Sequence, residues 1–176
     1  MATIDLTTKE FRLVLMRPDM VTDSWVEWAN DRVLMRQVNS KLRKVAKTDV
    51  QDYVLKATAQ KRAIIGIFDL ASMAHVGVCE IHFDQAHRNA NLDILIDFRR
   101  YDIAKVLNEV LPPLFQELKS RFGAEKAVIL TPMSYTRLIA YLDQSQWRKE
   151  GVLRSEYPSA TASNRMDGIQ YGWLLE

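Results

Sequence analysis

Apolar positions along the 176-residue chain switch between two periods, and the switches mark out its elements. Phe11–Arg17 (FRLVLMR) reads as a short strand closed by Pro18. Trp25, Trp28 and Ala29 then recur at helical spacing, and Ser24 with Glu27 has the spacing of a capping box. These predict a helix from there to about Val38, with both tryptophans in the core. Thr48 and Gln51 form a second capping box ahead of an apolar stripe at Val50, Tyr53, Val54 and Ala57. Three strand candidates follow: Ala63–Asp69, Val76–Asp84 and Asn91–Phe98. In the last, Leu92, Ile94, Ile96 and Phe98 alternate with Asp93, Leu95 and Asp97. The short connections Ala71–Ala74 and Gln85–Ala90 favour antiparallel hairpins.

The longest helix is expected from near Asp102 to Gly123. Leu107, Val110, Leu111, Leu114, Phe115 and Leu118 form its stripe, and Pro112-Pro113 predict a kink rather than an end. Lys126–Leu130 is the next strand, which completes a right-handed parallel βαβ unit. Ser134 is expected to cap a helix carrying Leu138, Ile139 and Leu142. Strands at Trp147–Arg154 and Ile169–Leu175 flank a polar loop, Ser155–Gly168. The order describes one α+β (α/β) domain over residues 1–176, with a mixed, mostly antiparallel central sheet flanked by helices.

Composition narrows the function. A net charge of +2 is too slight for a dedicated nucleic-acid surface, so no nucleic-acid partner is expected. No apolar run approaches the roughly 18 residues of a membrane span, so no membrane partner is expected either. The single cysteine, Cys79, lies in an apolar run and reads as a buried small hydrophobe. With Met1–Asp5 lacking the features of an export signal, a cytoplasmic location is expected. The densest basic patch, Lys41, Arg43, Lys44 and Lys47, reads as a solvated loop or as a contact for an anionic partner. His75 and His87 sit at expected loop ends and read as solvated. No His, Cys or acidic set has metal-site spacing, so no metal is expected, and no nucleophile motif or dinucleotide glycine fingerprint is present.

The turn Arg99–Ala104 stands out for chemistry. It leaves the carboxyl end of a buried strand and opens the longest helix, a position ligands favour in open sheets. A helix N-terminus offers free N–H groups and partial positive charge to an anion, and Arg99 and Arg100 add cations beside it. An ordinary strand–helix turn with exposed arginines is the alternative. Along the preceding strands, Glu80, His82 and Asp84 share one face, with Asp93 on the neighbouring strand. This is either the polar face of a half-exposed hairpin or a source of a general base.

The C-terminal stretch carries a resemblance. WRKEGVLR (Trp147–Arg154) followed by DGIQYGWL (Asp167–Leu174) is similar to the closing motif of the GNAT superfamily of acyl-CoA N-acyltransferases, in which an aromatic and E-G-x-L-R precede D-x-x-x-Y-x-x-L. The element order resembles the same superfamily over most of the chain, especially its ribosomal-protein N-terminal acetyltransferase type. The resemblance implies a GNAT-like fold and acetyl-CoA as cosubstrate. The family's phosphate loop, Q/R-x-x-G-x-G/A, aligns with Arg99-Arg100-Tyr101-Asp102-Ile103-Ala104. Arg99 and Ala104 fit, but Asp102 stands where glycine is expected. Its carboxylate can cap the helix, and in doing so it competes with a phosphate for the same N–H groups.

On this resemblance Ile96, Asp97 and Phe98 line the point where a strand N–H holds the thioester carbonyl, and Arg99–Ala104 hold the pyrophosphate. Glu80, His82 or Asp93 supplies the base. A tyrosine on the following helix protonates the leaving thiolate; counting back from Trp147 puts Leu142 at that position and Tyr141 one residue away. Two functions remain open. One is acetyl transfer from acetyl-CoA by direct attack of a primary amine, on a protein N-terminus or a small molecule. The other is a non-catalytic GNAT-like binding or assembly module that has lost acetyl-CoA binding. An exposed C-terminal edge strand leaves a homodimer possible.

Overall fold

The computed structural model describes residues 4–40, 43–160 and 163–175, so Lys41 of the basic patch lies outside the described residues. Eight strands form one sheet: β1 (Asp5–Thr7), β2 (Phe11–Leu15), β3 (Arg62–Asp69), β4 (His75–Asp84), β5 (Asn89–Ile96), β6 (Lys126–Pro132), β7 (Arg148–Pro158) and β8 (Arg165–Leu174), in spatial order β1-β2-β3-β4-β5-β6-β8-β7. Every neighbouring pair is antiparallel except β5 and β6. The expected hairpins and parallel βαβ unit are therefore present. The crossover is α4 (Ile103–Phe122), which runs without a break through Pro112-Pro113 and ends at Gly123 with φ +67°. Pro112 is exposed, so carbonyls that lose a helical partner there face water.

The sheet is covered on both faces, as its alternation requires. On one face Leu13, Ile65, Ile67, Ile81 and Leu92 pack against α4 and α5 (Thr136–Gln144). On the other, Met16, Ile64 and Val78 pack against three helices: α1 (Asp23–Asn30), α2 (Arg32–Gln37) and α3 (Lys47–Ala59). Trp25 and Trp28 are buried there, and Cys79 is buried on the opposite face.

Several local expectations are corrected. The first helix is two helices, because Asp31 leaves helical geometry and its carboxylate accepts from Val33 N and Leu34 N. Thr22 rather than Ser24 caps α1, accepting from Trp25 N at 3.2 Å. Thr48 and Gln51 do not form the second box; Asp49 reaches back to Ala46 N at 2.7 Å. Ser134 caps nothing, and its hydroxyl donates to Gln37 O. Strand β1 was not expected at all, being three residues with no alternation long enough to read. Strands β7 and β8 extend into the segment read as a polar loop; the hairpin is ordered by pairing, which single-strand polarity does not disclose.

His75 is the other correction. It begins β4, is 5% exposed, and stacks on Phe68 with ring centroids 4.5 Å apart; Trp28 lies at 4.8 Å. Its Nδ1 bonds Thr22 Oγ1 at 2.7 Å, while its Nε2 is buried without a partner among the described residues. Burial holds the imidazole neutral, lowering its pKa from 6.5 to about 4. The unfolded chain takes up this proton as pH falls below 6.5 and the folded chain only near 4, so stability declines across that interval. Urea unfolding from pH 7 to 4 should register a loss on the order of 3 kcal/mol from this group, and His75→Phe should flatten that part of the profile.

Candidate active site

The site begins where two strands part. β5 and β6 pair at Asn89↔Lys126, Ala90↔Ala127 and Asn91↔Val128, and no further. Beyond that point β5 stays on β4 as far as Ile96↔Gly77, and β6 stays on β8 as far as Pro132↔Gly168. Each strand follows its outer partner, so a wedge opens between Leu92–Ile96 and Ile129–Pro132. Strand groups facing it must find other partners or a ligand. Ile96 N donates to the hydroxyl of Tyr135 at 3.4 Å, and Thr131 Oγ1, on a residue 2% exposed, has no partner among the described residues.

At the tip of β5 the chain turns around Asp97, a carboxylate 1% exposed. It accepts from Trp28 Nε1 at 3.2 Å and from Arg99 Nε at 2.8 Å. Its backbone carbonyl accepts from Arg100 N and Tyr101 N, which closes the turn into α4. Burial pushes this carboxyl upward, but the Arg99 guanidinium and the Trp28 N–H outweigh it and hold the pKa below the ordinary value. Arg99 also pairs with Asp31 at the start of α2. Arg99 is thus drawn inward by two carboxylates, and its guanidinium joins β5 to α2.

The rest of the turn opens on a groove of about 520 Å³, lined by Phe98 through Ala104 on one side and by Arg137, Ala140, Tyr141 and Gln144 of α5 on the other. Here Tyr141 meets the Arg99–Ala104 turn, while Leu142 points into the core and is 0% exposed. Burial raises the Tyr141 pKa to about 12. Asp102 caps α4, accepting from Lys105 N at 2.7 Å. Arg100 makes only a 3.8 Å contact with Asp97 and is exposed. Arg137 lies over the Phe98 ring at 4.8 Å.

A second cavity, about 510 Å³, reaches from helices α1–α3 into the wedge. Its floor holds a cross-strand acidic pair, Glu80 of β4 opposite Asp93 of β5. Glu80 is 7% exposed and is satisfied by Arg62 and by the Tyr53 hydroxyl. Asp93 makes no hydrogen bond or ion pair among the described residues. It is walled by the cavity yet open to solvent, and burial, then Glu80, raises its pKa above the ordinary carboxylate value while Arg62 opposes them. Trp25, Tyr53 and Tyr157 supply aromatic walls. His82 follows Glu80 on the same face but is exposed and outside this lining. Arg43 of the basic patch lines the cavity, and Lys47 instead pairs with Asp23. Among the described residues no group of three His, Cys, Asp or Glu is placed to hold a metal ion. Among them no helix is long and apolar enough to cross a membrane.

Sequence reasoning did not single out Tyr53, Arg62, Thr131 or a role for Tyr135 in the wedge. Tyr53 and Arg62 are recruited by Glu80 from elements distant in sequence, and no local pattern signals that.

The chain's mixed, mostly antiparallel sheet flanked by helices has the fold of solved GNAT-family acetyltransferases. No protein-family model matches the chain, and no curated protein matches it in sequence. Solved structures match in fold. The chain is similar to the acetyltransferase of Salmonella typhimurium that modifies the N-terminal serine of 50S ribosomal subunit protein L7/L12, with 13% identity, TM-score 0.80 and 96% of each chain covered. It is similar to the spermidine N-acetyltransferase of Vibrio cholerae, solved in complex with CoA and spermine, with 13% identity and TM-score 0.76 over 94% of this chain and 96% of that one. A GNAT-family acetyltransferase of Bacillus anthracis matches with 12% identity and TM-score 0.77 over 98% and 99%.

Because Asp97 is the shared acceptor for Trp28, Arg99 and the turn, Asp97→Ala should cost about 3 kcal/mol in urea unfolding, the range for stranding buried donors and a charge. Arg99→Ala, which removes the half-exposed partner, should cost less.

Proposed function

We propose that this chain transfers an acetyl group from acetyl-CoA to a primary amine. The observation that carries the reading is the wedge: it lies beside the groove at the α4 N-terminus and opens into the cavity holding an unpaired carboxylate. A cosubstrate with an anionic end and a thioester, and an acceptor amine, suit these two spaces.

The residues fit the phosphate end of CoA in part. The first N–H groups of α4, exposed Arg100 and Arg137 suit phosphate oxygens. Asp102 opposes them, since its carboxylate occupies Lys105 N and brings a negative charge to an anion site. Ile96 N is the strand donor suited to the thioester carbonyl, with Asp97 and Phe98 shaping the strand end, and Tyr101, Ile103 and Ala104 complete the groove wall.

In this reading Asp93 takes a proton from the acceptor ammonium, freeing the nitrogen lone pair for attack on the acyl carbon. Its raised pKa makes it a stronger base than an ordinary carboxylate. Glu80, ion-paired with Arg62 and hydrogen-bonded by the Tyr53 hydroxyl, orients that wall. The C–N bond forms and the C–S bond breaks; Tyr141 gives its proton to the sulfur, and the second proton that the nitrogen releases on becoming an amide restores the Tyr141 phenol. A protein N-terminus or a small amine is the acceptor class, consistent with what the Salmonella and Vibrio proteins act on. The protein is proposed to act as one domain in the cytoplasm.

A second reading is favoured by one observation, the Asp102 cap: a GNAT-fold binding module that no longer takes acetyl-CoA. The two separate in a thermal-shift titration. Acetyl-CoA at a hundred times its dissociation constant should stabilise the protein by about 2.7 kcal/mol, and no shift at millimolar acetyl-CoA overturns the enzyme reading. Asp102→Gly should tighten binding; binding that appears only in this variant supports the module. For the active enzyme, Asp93→Asn should lower kcat/KM for amine acetylation by roughly 10²–10⁴-fold. The acid limb of the wild-type pH profile should lie above the ordinary carboxylate range and be lost in that variant.

A further inference from the structure

Of the three N–H groups at the tip of β5, two bond backbone carbonyls: Asp97 N donates to Val76 O and Phe98 N to Ile96 O. Ile96 N alone bonds a side chain, the Tyr135 hydroxyl. Tyr135 starts α5 and is anchored through its own backbone, with its N–H on Pro132 O at 2.9 Å and its carbonyl accepting from Ile139 N. Its phenol is 1% exposed and reaches across the wedge from the β6 side to β5. At 3.4 Å the bond to Ile96 N is longer than the 2.7–3.2 Å usual for N–H···O, so it is a weak one. On β6, buried Thr131 Oγ1 has no partner among the described residues, so the wedge has polar capacity that these residues do not fill.

We infer that Tyr135 is a displaceable stand-in for a carbonyl oxygen: its hydroxyl satisfies Ile96 N–H in the free protein and yields that donor to the acyl carbonyl of the ligand. The inference rests on the acetyl-CoA reading above and assigns a residue that controls affinity at the acyl end. Without a ligand, the parted strand would otherwise leave a buried N–H unpaired, which is costly. With a ligand, the acyl group must win Ile96 N–H from the phenol, so acyl-specific affinity is set by the difference between two hydrogen bonds. Free CoA, which has no acyl carbonyl, does not enter this competition.

The test is Tyr135→Phe, which keeps the ring and removes the competing oxygen. Calorimetric titration of wild type and variant with acetyl-CoA and with CoA gives the affinity ratio of the two ligands. That ratio should move toward acetyl-CoA by about three- to tenfold, the size of one ordinary hydrogen bond, while the ligand-free variant melts at lower temperature. In wild type, the Ile96 amide should gain hydrogen-exchange protection with acetyl-CoA and not with CoA. A ratio unchanged by the substitution, with both ligands still binding, overturns the role of Tyr135 and leaves the acetyl-CoA reading standing. Binding of neither ligand by either protein overturns both.

Discussion

A buried carboxylate at the tip of one strand organises the functional end of this protein. Asp97 sits where β5 stops, and it is tolerable there only because Trp28 Nε1 and Arg99 Nε both donate to it. Those partners come from different elements. Trp28 belongs to the helices on one face, and Arg99 ties the turn to Asp31 at the start of α2. The Asp97 carbonyl then closes the turn that launches α4 on the opposite face. One residue thus fixes the position of the α4 N-terminus relative to α1 and α2, and with it the groove that this helix borders.

The same network explains why positive charge near a helix N-terminus need not be available to a ligand. Arg99 and Arg100 are adjacent in sequence, but Arg99 is held by two carboxylates and Arg100 is exposed with one long contact. A comparable division separates Glu80 from Asp93. They face each other across two strands, yet Glu80 is paired with Arg62 and accepts from Tyr53, while Asp93 has no partner among the described residues. Burial and then the Glu80 charge raise the Asp93 pKa, and Arg62, paired with Glu80, opposes them.

Much of the architecture was legible in the chain. The alternation of Leu92, Ile94 and Ile96, the helical stripe from Leu107 to Leu118, and Gly123 as a stop signal all report local periodicity, and each corresponds to an element. Caps were less legible. Ser24, Thr48 and Ser134 have the right chemistry, but Thr22, Asp49 and Asp31 hold the geometry, because a cap depends on where the chain enters the helix rather than on residue type alone. His75 was misread for a related reason: a histidine at a strand end looks solvated until Trp25, Trp28 and Phe68 are folded around it.

The sequence by itself determined the order and type of most elements, the turn Arg99–Ala104 as the place to look, and Asp102 as the helix cap at that turn, since these follow from periodicity and short-range hydrogen bonding. Only the tertiary structure decided that β5 and β6 part after Asn91 and Val128. It likewise decided that Tyr135 reaches the N–H exposed by that parting, and that Tyr141 rather than Leu142 faces the groove. The physical reason is the range of the forces involved. A helix or strand is signalled within a few residues, whereas a wedge arises when two strands each keep their outer partner, and what fills it comes from elements brought together only by the packed core.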